Sequence, residues 1–497
     1  MKKIKFPTAQ TILLIIAAFA ALLTWLIPAG KYDTLQYNKN SQSFVIQQSN
    51  ADAKNLPASS ETLEKLNIKI PLEKFTNGDI WKPISVPGTY RELEATPQGL
   101  AAFLKSPIKG VIEAADIIFL VLIIGGLIGI MNTTGAFEAG ISWLAKKLKG
   151  HEYWLIILVT SLIALGGTTF GLAEETIAFY PILIPIFLAA KYDGMVPLAA
   201  IYIGTSVGTM CSTVNPFSTI IASDAAGINW TTGLYGRIFM LVLCTTVCII
   251  YILRYASKVK AHPEKSLVFE EKAMIESLFG TNTETTRALT PRLRLILLVF
   301  ALCFIVMIIG VSQLDWWFIE MTTVFLVGAI LIGVIGKIKE AHFVETFVNG
   351  ASDLLGVALI IGIARGVSVI MEDGMISDTI LHNITQVTSG LHKGVFANIL
   401  LLAYSGLSFF IPSSSGMAVL TMPIMSPLAD TFGFGREVIV NCYQYGMGIF
   451  SFLNPTGLIL ASLAMVKIGF NKWLKFVYPL VLILTVITMI WLTIMVL

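Results

Sequence analysis

Stretches of roughly twenty apolar residues recur along the chain, and each is long enough to cross a lipid bilayer as a helix. Only 13% of the residues are charged, against about 25% in soluble proteins. Because backbone groups in lipid must be bonded within their own segment, we predict an all-α polytopic membrane protein. A soluble enzyme and a disordered chain are excluded, and a net charge of +3 gives no basic excess for nucleic acid. The apolar segments lie at about 11–27, 111–131, 153–190, 196–223, 234–256, 292–312, 320–336, 353–371, 394–430, 436–466 and 475–496.

Two long polar stretches divide these segments. Lys2, Lys3 and Lys5 favour a first transmembrane helix within 1–30 and a cytoplasmic N-terminus, with a signal peptide ending at 28–30 as the alternative. Basic loops mark the cytoplasmic side, so 31–105 is predicted to be an extracytoplasmic cap loop and 257–291 a cytoplasmic linker. A first membrane repeat then covers 106–256. Further membrane helices and a second repeat cover 292–497, with the C-terminus outside.

Two segments, 153–190 and 394–430, must each enter and leave by one face for all basic loops to stay cytoplasmic. Each is interrupted midway, by a Gly-rich tip at 166–175 and a Ser-rich tip at 412–416. Irregular backbone at membrane depth persists only where it is buried in protein or lines a wet cavity. We therefore predict two re-entrant hairpins, the first entering from the cytoplasm and the second from outside.

The hairpins belong to an internal repeat. A Pro-x-x-x-Pro pattern follows each tip, and its first prolines, Pro181 and Pro423, are 242 residues apart. Further on, Asn215 and Asn454 each precede a proline and are 239 residues apart. On the predicted topology the two copies have opposite orientations in the membrane. This inverted-repeat architecture, with broken helices at its centre, is typical of secondary transporters.

The breaks are the predicted binding site. Pro after Asn215 and Asn454 removes a backbone donor and disfavours helix at the Asn, which releases carbonyl groups that suit a cation. The alternative is that proline only kinks the helix and serine only caps it. The predicted Na⁺ site involves Ser212, Thr213, Asn215, Ser414 and Asn454. The predicted substrate site adds Thr168, Thr169, Ser413, Ser415 and Thr456.

Three ionisable residues are the strongest functional candidates. Glu174 and Glu175 lie at the first tip between apolar flanks, and intramembrane charges are costly enough to indicate function. The alternative is that the tip reaches water and the pair is solvated. Arg365 lies within an apolar helix, where its guanidinium suits a carboxylate. A structural salt bridge to the Glu pair, Glu372 or Asp373 is the equal alternative.

The sequence motifs give little support for an enzyme. The GxSxG match around Ser206 lies inside a predicted helix without a histidine at comparable depth, and no P-loop, HExxH or Rossmann fingerprint occurs. All five cysteines lie in apolar runs, which argues against disulfides and a zinc site. We predict no cofactor and no enzyme activity. An intramembrane enzyme using Ser206 or the Glu pair is the distant alternative, and a channel is a third.

Several motifs resemble one family of carriers. They include Gly171-Leu172-Ala173-Glu174-Glu175-Thr176, Cys211-Ser212-Thr213-Val214-Asn215-Pro216-Phe217, Ala364-Arg365-Gly366 and Ile411-Pro412-Ser413-Ser414-Ser415-Gly416. The chain resembles the YfcC-like branch of the C4-dicarboxylate anaerobic carrier family, in the ion transporter superfamily. The resemblance implies a bacterial inner-membrane carrier, a homodimer with a scaffold and an elevator-like transport domain. It also implies a small organic or amino acid substrate coupled to Na⁺ or H⁺.

The charges decide which substrate we expect. Two acids at one hairpin and one arginine suit a zwitterion or a cation, so an amino acid is the predicted substrate, with basic amino acids included. A C4-dicarboxylate is the closest rival. One motif departs from the family, since Leu453-Asn454-Pro455-Thr456-Gly457 lacks the serine that relatives carry after the second break.

Overall fold

The structure is a computed structural model, and it describes residues 7–49, 52–80, 82–147, 150–279, 289–314, 316–388 and 392–497. Lys2, Lys3 and Lys5, which support the predicted orientation of the N-terminus, lie outside these ranges. Helix α1 (Ala9–Leu26) packs small side chains, including Ala17 and Ala20, against residues 367–376. It therefore lies within the bundle, as the prediction of a first membrane helix requires.

The cap corrects the all-α prediction, because residues 30–92 contain two antiparallel sheets. One sheet has the order β4-β3-β2-β5, and β1 pairs with β6. Alternate apolar residues of β2 and β3, such as Leu35 and Phe44, turn inward, and Phe44 packs edge-on against Phe75. The cap elements are β1 (Gly30–Lys31), β2 (Thr34–Asn38), β3 (Ser43–Gln47), β4 (Lys54–Pro57), α2 (Ser60–Lys65), α3 (Leu72–Thr76), β5 (Ile84–Ser85) and β6 (Arg91–Glu92).

A first run of helices follows the cap. A 3-10 turn, Glu174–Phe179, precedes α8, and a π-turn, Pro216–Ile220, precedes α10, so the helix is interrupted at both predicted places. The run consists of α4 (Leu100–Glu113), α5 (Ala115–Thr134), α6 (Ala136–Lys147), α7 (Tyr153–Thr169), α8 (Tyr180–Ala189), α9 (Met195–Met210), α10 (Ile221–Ala225) and α11 (Leu234–Ala261).

A second run repeats this order after the linker helix α12 (Lys272–Phe279) and the pair α13 (Pro291–Gln313) and α14 (Phe318–Gly336). Three of its helices begin at residues 340, 355 and 393, where α4, α5 and α7 begin at 100, 115 and 153, a constant spacing of 240 residues. The run consists of α15 (Glu340–Asp353), α16 (Leu355–Asp373), α17 (Ser377–Thr388), α18 (Lys393–Phe410), α19 (Ser414–Phe432), α20 (Glu437–Ser451), α21 (Ile459–Val466) and α22 (Phe470–Val496).

The two runs pack on each other through glycines in antiparallel fashion. Gly110 of α4 lies against Gly362 of α16, and Gly125 of α5 lies against Gly350 of α15, so the partner number falls as the chain advances. A Cβ at these glycines would overlap the facing backbone. Small residues thus let the helix backbones approach closely, as at many membrane-helix interfaces.

Eight helices of the described chain are long and apolar enough to cross a membrane, which agrees with the predicted multi-pass protein. They are α1, α5, α11, α13, α14, α16, α18 and α22. At one end of the bundle the loop before α7 contacts the end of α11, with Lys260 3.2 Å from Glu152. At the same end Lys472 lies 2.6 Å from Glu271 of the linker. The loops that sequence analysis assigns to the cytoplasm therefore contact one another.

Candidate functional site

A cavity of about 530 Å³ lies where the interrupted helices meet, a volume typical of small-molecule sites. Its wall includes the first break at 170–175, the second break at 412–415, and both Asn-Pro positions. Aromatic residues 316–318, from the start of α14, form part of another side. The fold thus brings two helix breaks that are distant in sequence to the wall of one cavity.

The first break begins where α7 ends at Thr169. Gly171 has a positive φ of 79°, and a Cβ there would contact the Asn215 amide, so glycine allows both the turn and the close approach. Glu174 and Glu175 then begin the 3-10 turn, where Glu175 Oε2 accepts the Ala173 N–H at 3.0 Å. Both side chains are half-buried and line the cavity.

The two asparagines make equivalent contacts. Asn215 Nδ2 donates to the Gly167 carbonyl of α7, and Asn454 Nδ2 donates to the Ser408 carbonyl of α18, each at 3.2 Å. The Oδ1 atom of each accepts the N–H two residues on, at Phe217 and at Thr456. The amides therefore attach each break to the preceding interrupted helix, the structural role that is the alternative to ion binding.

The second break lies between α18, which ends at Phe410, and α19. Ser413 caps α19, with its Oγ accepting the Gly416 N–H at 3.2 Å. The Ser414 carbonyl accepts from the Tyr443 hydroxyl at 2.9 Å. The Ser415 hydroxyl accepts from Lys82 Nζ at 2.7 Å, so a cap residue reaches this break.

Charged residues of both signs line the cavity. The carboxylates are Glu113, Asp116, Glu174 and Glu175, and the cations are Lys82 and Arg365. Arg365 Nε donates to Glu113 Oε2 at 2.9 Å, and its guanidinium lies 3.5 Å from Glu372 Oε1. The salt bridge to Glu372, predicted as the alternative role of Arg365, is present. The nearer partner is Glu113, which was not predicted.

The structure brings together most of the predicted site residues. Four of them lie outside the cavity wall: Thr168 and Thr213 hydrogen-bond each other, Ser212 bonds Thr219, and Thr169 bonds its own helix at the Leu165 carbonyl. The predicted residues in the wall are Glu174, Glu175, Asn215, Arg365, Ser413, Ser414, Ser415, Asn454 and Thr456.

Sequence analysis missed several residues of the wall. Glu113 and Asp116 stand near helix ends, where the sequence gives no reason to prefer a site residue over a solvated one, while Lys82 lies in a polar loop that carries no pattern. Gln444 was detectable, because it is a polar residue within an apolar segment, and its amide donates to the Thr219 hydroxyl. Ser206 also lies in the wall, in the middle of α9, and no histidine is among the described residues that line the cavity.

Comparisons with known proteins identify relatives over nearly the whole chain. A family model described as C4-dicarboxylate anaerobic carrier matches residues 6–497. An uncharacterized protein of Haemophilus influenzae is 45% identical over 482 residues, 97% of this chain and 95% of the relative. The Escherichia coli protein named "Putative basic amino acid antiporter YfcC" is 30% identical over 94% of this chain and 92% of its own length. The solved Alcanivorax borkumensis YdaH transporter is 11% identical with a TM-score of 0.40, and 98% of each chain is covered.

Proposed function

This chain belongs to the C4-dicarboxylate anaerobic carrier family and is therefore a membrane transporter, and on that premise we propose that it carries an amino acid with a cationic side chain. The observation that carries the proposal is the charge of the cavity wall. Among the described residues of the wall, four carboxylates and two cations leave a formal excess of negative charge. That excess favours a substrate with more positive than negative groups and repels a dianion.

The transport mechanism we propose is alternating access by ion-coupled secondary transport. The two runs of helices, equal in order and packed antiparallel, support an inverted repeat. Both interruptions line one cavity, which supports reading 153–190 and 394–430 as re-entrant hairpins. An elevator-like movement of the hairpin elements against a scaffold that includes α4, α5, α15 and α16 would expose the cavity to each side in turn.

The coupling ion is part of the same proposal. A Na⁺ ion would bind around Ser212, Thr213, Asn215, Ser414 and Asn454, mainly through carbonyl oxygens, because both asparagine amides already bond backbone groups. A proton would instead bind at Glu174 or Glu175. Transport driven by a Na⁺ gradient at constant pH, or by a pH gradient without Na⁺, separates the two ions.

The cellular setting follows from the family and the loop charges. We place the protein in the bacterial inner membrane as a homodimer, with the N-terminus and the linker in the cytoplasm and the cap and C-terminus outside. Lysines at 258, 260, 265 and 272, in and beside the linker, support this orientation.

A C4-dicarboxylate carrier is the second candidate. The family description favours it, and so does the presence of Lys82 and Arg365 in one wall, since two cations suit two carboxylates. Glu113 and Glu372, however, already contact Arg365, which reduces the positive charge left for a dianion.

Uptake into proteoliposomes tests the proposed function. Purified protein would be given labelled arginine, lysine, alanine or succinate, with Na⁺ and pH gradients varied separately. We expect saturable arginine and lysine uptake that excess succinate does not inhibit. Arg365→Lys should raise KM with a smaller effect on maximal rate, because Lys supplies one point charge where Arg supplies a planar fork. Saturable succinate uptake without arginine uptake would establish the dicarboxylate carrier instead.

A further inference from the structure

Lys82 is a cap residue that lies in the wall of the membrane cavity. It precedes β5, and its Nζ donates to the Ser415 hydroxyl at 2.7 Å, in the first turn of α19. The cap joins α1 to α4, so this lysine reaches the site from a segment outside the two runs of helices. The cap therefore contributes a side chain to the cavity wall.

Charged groups of both signs surround Lys82. Burial lowers its pKa, Arg365 lowers it further, and Glu372 opposes both effects. Two cations held near each other at a partly buried site repel, and the first turn of a helix is also unfavourable for positive charge. A carboxylate bound between them would relieve the repulsion and bond both groups.

Two other cap lysines form ion pairs with the membrane helices outside the cavity. Lys69 lies 2.8 Å from Asp430 near the end of α19, and Lys74 lies 3.0 Å from Asp224 of α10. Neither lies in the cavity wall. Lys69 and Lys82 thus attach the cap to opposite ends of the same helix, but only Lys82 lies in the wall.

We propose that Lys82 is a substrate-binding residue that, together with Arg365, holds the carboxylate of the transported molecule and makes the cap a determinant of specificity. This inference rests on the proposed function, because it assumes that the cavity is the transport site. The carboxylates Asp116, Glu174 and Glu175 line the same cavity and would receive the cationic end. The chemical class selected is therefore an amino acid with a basic side chain, and its decarboxylated amine should bind less tightly.

Competition between a substrate and its decarboxylated analogue tests the role of Lys82. Labelled arginine uptake would be measured for the wild type, Lys82→Met, Lys82→Arg and Lys69→Met, with agmatine, which lacks the carboxylate, as inhibitor. We expect Lys82→Met to raise the KM for arginine by about tenfold or more, because a charge-assisted hydrogen bond is lost. Inhibition by agmatine should stay unchanged, and Lys82→Arg should retain most of the affinity for arginine.

The control is Lys69→Met, which removes another contact between the cap and α19 but should leave KM unchanged. Equal effects of Lys82→Met and Lys69→Met, or equal weakening of arginine and agmatine, would reduce Lys82 to a docking residue. If the wild type carries succinate and not arginine, the proposed function fails on its own. The same variants assayed with succinate then decide whether Lys82 binds a carboxylate. Melting temperatures of all variants would show that each is folded.

Discussion

Glu174 and Glu175 are adjacent carboxylates in a helix interruption, and both face the cavity. Asp116 lies in the same wall, so three acids line one cavity. Glu175 Oε2 accepts the Ala173 N–H, and Asp116 Oδ1 accepts the Ile117 N–H. A glutamine would make the Glu175 hydrogen bond at lower cost, which is why the charge itself indicates a function.

Replacement of these acids by glutamine should affect transport more than folding. For Glu174→Gln and Glu175→Gln we expect initial uptake rates to fall by roughly tenfold or more, since each loses a charge-assisted contact with the substrate or ion. The melting temperature should stay equal or rise, because repulsion is relieved. Glu276→Gln in the linker is the control. If both variants transport at wild-type rates across the pH range, the pair is solvated and the case for a basic substrate fails.

Asp378 connects the cap to α17, which is not among the helices that could cross the membrane. Its Oδ2 accepts the Tyr32 N–H at 2.9 Å, and burial raises the pKa of Asp378 to about 6. A carboxyl whose pKa is raised on folding favours the folded state below its unfolded value, near 4. That contribution is lost as the pH rises through about 6.

Asp378→Asn should therefore stabilise the protein at neutral pH. The amide keeps an acceptor for Tyr32 and has no charge to desolvate, so we expect a gain on the order of 1 kcal/mol at pH 7.5. Near pH 4.5 the gain should be much smaller. Melting temperatures in detergent across this pH range measure it, and Asp52→Asn, an exposed aspartate of the cap, is the control. A loss of stability at pH 7.5 would contradict the prediction.

Whole elements are positioned by glycine contacts between the two runs of helices. On α16, a Cβ at Gly362 would meet Val111 of α4, including its Cα at 3.1 Å, whereas a Cβ at Gly356 would meet nothing within 4 Å. The two glycines are six residues apart on one helix. Alanine substitutions at the two positions therefore distinguish the effect of close packing from the effect of helix propensity.

Gly362→Ala and Gly356→Ala should thus have opposite effects. We expect Gly362→Ala to destabilise the protein by about 1–3 kcal/mol, because the facing backbone of α4 must shift. Gly356→Ala should be neutral or stabilising by about 0.5–1 kcal/mol, since alanine favours helix. Thermal unfolding of the purified variants measures both. Equal melting temperatures would mean that α4 and α16 do not pack this closely.

On the scale of the whole molecule, the cap and the linker contact different sets of helix ends. The cap contacts α10, α17 and α19 through Lys74, Asp378 and Lys69. The linker contacts Lys472, and its Ser266 hydroxyl donates to Asp193 at 2.6 Å. Both segments are polar, so the topology requires the membrane to lie between them.

Impermeant thiol labelling of intact cells tests this arrangement. A cysteine at Lys65 of α2 should react from outside, while one at Glu276 of α12 should react only after the membrane is permeabilised. The five natural cysteines are buried, so background labelling should be low. Labelling of both positions in intact cells would reject the topology.

The membrane class, the two interruptions and the correspondence between the two halves could all be predicted from the sequence. These features depend on hydropathy and on Gly, Pro and Asn at local positions, which act within a segment whatever surrounds it. The cap strands were also readable, because Leu35 and Tyr37 alternate with polar residues, but composition alone concealed that pattern. The helix breaks predicted Glu174, Asn215, Ser414 and Asn454 as site residues for the same local reason, and all four line the cavity.

Which distant charges share the cavity depends on how the helices and the cap pack together. Lys82, Glu113 and Arg365 come from the cap and from two helices more than 200 residues apart, and antiparallel packing brings them together. Nothing local to Glu113 distinguishes a solvated helix end from a partner for Arg365. Likewise, Thr169 lies beside the first break but points back to its own helix. Side-chain direction and long-range packing determine the charge balance of the cavity. Neither can be predicted from the local pattern of residues along the sequence.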